Sequence, residues 1–371
     1  VSAEHKTCTC PDFLDRQEPC KHVFAVLYTV RRELNADGTV TDTRTITFTE
    51  KKTYTQDWPA YNAAQNSEKD RFQAMLCELC RGIPEPIRNG CGRKSHLVRD
   101  TVFAAAFKVY STVSSRRFSC DLKAAYDRGY ICSPIPGLKV PQFLEDKALT
   151  PLFKYLIGES ARPLRAVEQD FAIDSSGFSA NKFARWHDFK YGTSHQKAVW
   201  VKAHIASGVK TNVVTAVRII DAGDYTQFEP LVNETAKNFT IGEVSADKAY
   251  CGLSNFEAVA KCGGTAFIDF KKNATGGAGG LFEKMFHYFQ YRKDEFMQHY
   301  HKRSNVESTF SAVKRKFGDS VRSKTETAMT NEVLCKFLCH NLCVLNQEQH
   351  ELGIEVEFWK PADRVLRNGA D

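Results

Sequence analysis

The chain has 371 residues, 42% hydrophobic and 26% charged, which fits folded domains and predicts one catalytic core of about 150–200 residues with smaller pieces around it. Its 51 Lys and Arg against 44 Asp and Glu give +7 and a pI near 8.7, a balance compatible with a nucleic-acid partner and insufficient to establish one. No secretory signal follows Val1 and no apolar run is long enough to span a bilayer; thirteen unevenly placed cysteines argue against a disulfide-built secreted enzyme and for a reducing, cytoplasmic setting with some metal-bound thiolates.

Residues 1–35 form a compact cysteine and histidine unit. The chain opens on Val1 with the cysteines following at once, so the numbering is expected to begin inside a longer product. The apolar run Val23 to Leu34 reads as a helix stopped by Asn35–Gly38. Thr39–Tyr54 is Thr-rich and reads as an exposed hairpin or a linker, and Trp58–Ala64 reads as irregular, so 36–68 is taken as a linker. Residues 69–160 are expected to be a helical module that touches DNA, with helices at Lys69–Arg81, Leu97–Val113, Ser119–Arg128 and Phe143–Ile157.

Residues 165–346 change character. RAVEQDFAID, AVWVKAHIA and NVVTAVRII read as three strands, the last two joined by a turn at Ser207–Lys210. A helix over Phe228–Ala236, a strand ending in Asp247, a helix at Asn255–Lys261 and a strand at Thr265–Phe270 follow. This order predicts an α/β fold, a mixed sheet with flanking helices. Ala274–Gly280 is a flexible joint, helical sequence continues to about Asn346, and 347–371 is a polar tail.

Cys8 and Cys10, then Cys20 and His22, supply three thiolates and one imidazole in two tight pairs, the donor set of one tetrahedral structural Zn²⁺. So short a unit builds little core, so metal binding supplies its folding energy. The Cys-x-Cys, gap, Cys-x-His order resembles the SWIM zinc finger, whose target is DNA or protein. Cys77, Cys80, Cys91 and His96 offer a weaker second set, with Cys77 and Cys80 better read as helix packing. Cys335, Cys339 and Cys343 recur every four residues and read as core.

Three carboxylates stand out. Asp174 closes FAID before SSG, where a simple turn aspartate is also an adequate reading. Asp247 closes GEVSA, and two acids at strand ends can face one metal from neighbouring strands. Glu307 lies on a helix with Tyr300, Arg303 and Lys314 at spacings of three, four and seven, which place all four on one face. Phosphodiester transfer needs charge stabilised on attacking and leaving oxygens, and two Mg²⁺ (or Mn²⁺) held by carboxylates meet that need.

The segments IDSSGFSA, EVSADKAY and YHKRSNVESTFSAVKRKFG resemble the three catalytic motifs of bacterial and archaeal insertion-sequence DDE transposases, the last with the Tyr-x2-Arg-x3-Glu-x6-Lys signature. The resemblance covers roughly residues 70–350. It implies a ribonuclease-H-like core, Asp174, Asp247 and Glu307 as metal ligands, and Arg303 and Lys314 supporting DNA or the active helix. It also implies double-stranded DNA partners: the terminal inverted repeats of an element and a target. The protein is expected to work as a homo-oligomer assembled on DNA, at a prokaryotic nucleoid.

From His299 to Lys324 there are seven Lys or Arg and two acids. Lys314, Arg315 and Lys316, with Arg322 and Lys324, form a basic stretch suited to phosphate contacts, and Arg93, Lys94, Arg99, Arg116 and Arg117 form a second patch. Trp186, His187, Tyr191, His195 and Trp200 read first as packing and second as a stacking surface for a frayed base. His204 reads as a packed histidine. Two other functions use the same residues: a DNA nuclease that cuts without joining, and a non-catalytic zinc-containing DNA-binding protein.

Overall fold

The computed structural model describes residues 7–10, 13–14, 30–34, 40–44, 57–86, 95–180, 190 and 200–359. The chain divides into two units, Val1–Gln56 and Asp57–Asp371.

In the first unit, β1 (Val30–Leu34) pairs antiparallel with β2 (Val40–Arg44), Val30 opposite Arg44 and Leu34 opposite Val40. This answers the choice between hairpin and linker for Val40–Arg44. It also corrects the helix expected to Leu34: Val30–Leu34 is extended, because ladder pairing with a β-branched partner strand outweighs the apolar spacing read as helical. Residues 23–29 lie outside the described residues.

The second unit begins with α1 (Trp58–Arg81), capped by the Asp57 side chain, which accepts from the Ala60 N–H at 3.1 Å. Its first turns read as irregular in sequence because its buried positions start only at Ala64. Then come α2 (Val98–Ser111), α3 (Ser115–Asp127), the single turn α4 (Val140–Phe143) and α5 (Leu149–Ala161). The sheet strands are β3 (Asp170–Ser179), β4 (Trp200–Gly208), β5 (Val214–Ile219), β6 (Glu243–Ala246) and β7 (Thr265–Ile268). Between them lie α6 (Asp224–Ala236) and α7 (Leu253–Lys261), and after them α8 (Gly280–Tyr291), α9 (Lys293–Tyr300), α10 (Ser304–Phe317) and α11 (Glu326–Glu351).

The sheet order is β5-β4-β3-β6-β7. The β3–β4 and β4–β5 pairs are antiparallel; β3–β6 and β6–β7 are parallel. A three-stranded meander extended by two parallel crossover strands, with helices on it, is a ribonuclease-H-like architecture. The meander turns tightly at the β4–β5 hairpin. There the buried Glu168 carboxylate accepts from the Thr211 N–H at 2.5 Å and the Thr211 hydroxyl at 2.8 Å. Only glycine fits at 208, where a Cβ would lie 2.4 Å from the Glu168 carboxyl carbon.

Strand alternation sends Asp170, Asp174, Ser176 and Phe178 to one face and Phe171, Ile173 and Ser175 to the other. On the first face, Phe178 meets Phe337 of α11 at 5.9 Å, and Phe310 of α10 meets Phe337 at 6.1 Å. On the second, Phe171 meets Phe239, just beyond α6, at 5.5 Å. Helix α11 is the spine: Val333, Leu334, Phe337, Leu338, Leu342 and Leu345 are fully buried, and α1, α2 and α5 pack on it. Cys335 and Cys339 belong to this core, as their spacing predicts, and burial pushes both thiols well up. Cys77 and Cys80 are likewise buried in α1, while His96 bonds Ser133 at 2.9 Å; Cys91 lies outside the described residues.

Candidate active site

The parallel ladder between β3 and β6 ends at Ile173 opposite Ala246. The next residue on each strand is an aspartate, Asp174 and Asp247. The carboxylates therefore stand side by side at the point where the two strands part. The surroundings of Asp174 differ from the expected turn. Strand β3 runs on to Ser179, because β4 continues to pair with it as far as Trp200 opposite Ser179. SSG is strand, and Asp174 is a mid-strand residue that has lost only its parallel neighbour. Asp247 does close its strand: its Oδ1 accepts from the Lys248 N–H at 2.7 Å and opens a 3₁₀ turn, Lys248–Tyr250.

Glu307 sits in the first turn of α10, exposed. The helix expected to run through Tyr300, Arg303 and Lys314 is broken: α9 ends at Tyr300, His301–Arg303 form a 3₁₀ turn, and α10 starts at Ser304. Three of the four signature residues, Tyr300, Arg303 and Glu307, still meet beside Asp174, while Lys314 docks separately on β3. Arg303 places Nη2 2.8 Å from Glu307 and Nη1 3.4 Å from Asp174, with its guanidinium 5.9 Å from the Tyr300 ring centre. Lys314 donates to Ser176 Oγ at 2.6 Å and lies 5.4 Å from the Phe178 ring, so it ties α10 to β3 two residues beyond Asp174. Burial pushes the Lys314 ammonium down.

Burial raises the Asp174 carboxyl above its ordinary value. The Ser175 N–H and Arg303 oppose that rise, while the charges of Asp247 and Glu307 add to it. All three carboxylates thus share one electrostatic neighbourhood, and Arg303 feels each of them. Among the described residues, no three His, Cys, Asp or Glu converge as a metal-holding group. The Arg303 guanidinium lies between Asp174 and Glu307 and holds them as an ion-paired set.

A clasp of charges sets the height of this turn. Lys302 lies 2.7 Å from both Asp170 and Glu243, which are register partners at the start of β3 and β6. His299 contacts Glu243 at 2.9 Å and stacks on Phe267 at 4.4 Å.

The remaining basic residues divide. Arg315, Arg322 and Lys324 are exposed. Lys316 is ion-paired to Glu68 of α1, which also accepts from the Tyr110 hydroxyl at 2.8 Å. Arg99 donates to Cys132 at 3.3 Å, and Arg116 and Arg117 are exposed in the first turn of α3. Trp200 flanks Gly177 on the neighbouring strand. Arg93, Lys94, Trp186, His187, Tyr191 and His195 lie outside the described residues, as do Cys20 and His22. Of the proposed zinc ligands, Cys8 is buried and Cys10 half-buried, with the Cys10 N–H donating to Cys8 Sγ at 3.4 Å.

Two features escape a reading of the sequence. Asp269 follows Ile268, which pairs with Ala246, so it occupies on β7 the position Asp247 occupies on β6. The signal is there in FIDF, an apolar run closed by an aspartate like FAID. Behind β3, Ser175 donates to Asp224 at 2.9 Å, Lys202 lies 2.8 Å from Asp224, and buried His204 lies 3.5 Å from it. His204 is packed and bonded, its Nε2 donating to the Ile220 carbonyl at 3.2 Å.

No helix among the described residues is long and apolar enough to cross a membrane. No curated protein and no solved structure matches the chain. Residues 165–342, which contain Asp174, Asp247 and Glu307, match the family of transposase DDE domains, and residues 1–31 match the SWIM zinc finger family. The chain therefore carries a region matched by the SWIM zinc finger family and a region matched by the transposase DDE domain family, which supports a transposase-type function on DNA.

Proposed function

We propose that this protein cuts DNA at the terminal inverted repeats of a mobile element and joins the freed ends to a target. The observation that carries the reading is the adjacency of Asp174 and Asp247 just past the parallel ladder, with Glu307 linked to Asp174 through Arg303. Three carboxylates are hard oxygen donors, the set that suits Mg²⁺ or Mn²⁺, and Asp174, Asp247 and Glu307 would hold two such ions. Bound there, the ions supply activation of the attacking oxygen and stabilisation of the leaving one.

The chain's own residues do the positioning. Lys314, bonded to Ser176, and Lys302, clasped by Asp170 and Glu243, fix α10 over the sheet and so fix Glu307. Arg303 and Tyr300 close one side of the carboxylate set. Arg315, Arg322 and Lys324 offer exposed cations to phosphates without reading bases. Two element ends joined in coordinated steps call for a homo-oligomer assembled on DNA. The setting is the cytoplasm of a prokaryotic cell, at the nucleoid.

The test supplies pre-cut element ends and supercoiled target with Mg²⁺. Covalently joined product is the expected result. Cutting of uncut ends with no joined product from pre-cut ends assigns a nuclease instead; binding with no metal-dependent product assigns a non-catalytic DNA-binding protein.

For the amino-terminal unit we propose one structural Zn²⁺ held by Cys8, Cys10, Cys20 and His22. Elemental analysis of the purified full chain should give one zinc, and chelation should expose residues 1–35 to protease while the 57–371 unit keeps its melting transition. A zinc content of zero in protein purified with zinc present would reject the site.

A further inference from the structure

Behind the aspartate pair lies a tyrosine that the chemistry above does not use. Tyr250 closes the 3₁₀ turn that Asp247 opens, and its side chain is fully buried. Its ring packs on Phe228 of α6 at 5.8 Å, a contact that phenylalanine would make equally well. Packing does not explain the hydroxyl. It is buried and makes no hydrogen bond of good geometry with the described residues, a cost that folds seldom carry without a use for the group. The groups it faces are the Ser175 hydroxyl and the carboxylates of Asp224, Asp174 and Asp247. Burial pushes the phenol well up, and the three negative charges add to the rise, so the group is a protonated donor.

The register of β3 and β6 ends at Ile173 and Ala246, so no ladder pair spaces Asp174 from Asp247. The start of α6 bridges them from behind. On the Asp174 side, Ser175 donates to Asp224 at 2.9 Å, and Lys202 lies 2.8 Å from the same carboxylate. Against its burial, these contacts hold the Asp224 carboxyl below its ordinary value. An ionised Asp224 only accepts, so the one Ser175 proton is committed to it, and the Ser175 lone pairs are left as the acceptor that faces Tyr250. On the Asp247 side, Asn255 Nδ2 donates to the Tyr250 carbonyl at 2.8 Å and to the Tyr225 carbonyl at 3.2 Å. The turn passes close to α6 at Gly252, where a Cβ would lie 2.5 Å from the Tyr225 ring. Asp224 and Tyr225 adjoin in sequence. One point on the chain thus holds both the residue after Asp174 and the turn after Asp247, and the Tyr250 hydroxyl lies between them.

We propose that Tyr250 is a positioning residue for the aspartate pair, its hydroxyl acting with Ser175 and Asp224 to set the spacing at which Asp174 and Asp247 hold divalent ions. It touches no reacting atom and acts through the two carboxylates. A neutral donor suits the place. A cation there would pair with the aspartates and compete with the ions, and an apolar group would leave the crowded carboxylates without a donor. The inference rests on the carboxylates being metal ligands and does not depend on strand transfer.

The experiment titrates Mn²⁺ alone onto the zinc-loaded full chain, follows the free ion by its paramagnetic resonance signal, and measures melting temperatures in EDTA. The proteins are wild type, Tyr250→Phe, Ser175→Ala, the double variant, Asp174→Asn and Ser207→Ala. The last removes another buried hydroxyl without a partner, on β4. Tyr250→Phe should raise the Mn²⁺ dissociation constant about tenfold, the scale on which groups behind metal ligands act. Its melting temperature should match or exceed the wild type's, since the ring stays and an unpartnered hydroxyl goes. A merely structural tyrosine gives the opposite pair of results. Ser175→Ala should also weaken Mn²⁺, and the double variant should bind no more weakly than the weaker single, because the two groups act through one contact. Ser207→Ala should bind as wild type does. Wild-type affinity in Tyr250→Phe, with Mn²⁺ lost in Asp174→Asn, would overturn the proposal and leave the carboxylates as ligands. A loss in Tyr250→Phe that Ser207→Ala matches would overturn it too. Equal Mn²⁺ binding by wild type and Asp174→Asn would remove the metal reading of the carboxylates itself, and this proposal with it.

Discussion

Asp174→Asn should abolish cleavage and joining, a loss of at least about a thousandfold, while metal-free DNA binding and folding survive. The amide keeps the shape of the carboxyl and one oxygen for the Ser175 N–H, which donates to Asp174 at 2.8 Å. It removes the charge, which two divalent cations need and a fold does not. The stability side can be signed. The folded chain raises the Asp174 pKa through burial and through Asp247 and Glu307, so it holds that proton more tightly than the unfolded chain does. The ionised form therefore costs stability once the pH passes the ordinary carboxylate range. The variant removes that cost and loses its share of Arg303, so its melting temperature without metal should match or exceed the wild type's. A folded variant with wild-type turnover would remove Asp174 from the chemistry. Asp247→Asn and Glu307→Gln should behave alike in activity.

Local signals in the sequence account for part of this site. Asp247 was legible because an apolar strand runs directly into it and the chain then turns away, all within a few residues. Glu307 was legible because its spacing to Arg303 and Lys314 is helical. Asp174 was legible as an acid on a strand, yet its setting was misread. Whether β3 ends at 174 or 179 is decided by β4, whose pairing with it extends past the last β6 partner. That is a non-local fact, and the polar SSG masks it. Lys316 shows the same limit. It reads as one more cation of a basic helix, while Glu68, far away in sequence, pairs with it. The β1 strand was lost for the opposite reason: its apolar residues fit both periods, and pairing with β2 chose.

The largest expected loss of stability outside the apolar core follows from Asn341→Leu. Strand β5 is an edge of the sheet, so its outer backbone groups need partners that no strand supplies. At Val214 the buried Asn341 side chain of α11 supplies them: its Oδ1 accepts the Val214 N–H at 2.8 Å and its Nδ2 donates to the Val214 carbonyl at 2.7 Å. The same amide reaches the Ser160 hydroxyl at 3.0 Å and the Ile157 carbonyl at 3.2 Å on α5. One side chain thus joins the sheet edge, α5 and α11 in a fully buried position. Leucine keeps the branched shape and leaves no cavity, but its methyls need more room than hydrogen-bonded oxygen and nitrogen, so overpacking adds to the loss. It strands a buried N–H and carbonyls at about 1–3 kcal/mol per group, and a total of at least about 3 kcal/mol is expected. Chemical denaturation of the full chain should show a lower midpoint with an unchanged slope for the main transition. Hydrogen exchange should show the loss first at the Val214 amide. If Asn341→Leu were neutral while Asn341→Asp destabilised, the amide would be tolerated rather than required. The edge of β5 would then be held by the apolar contacts of α11 alone.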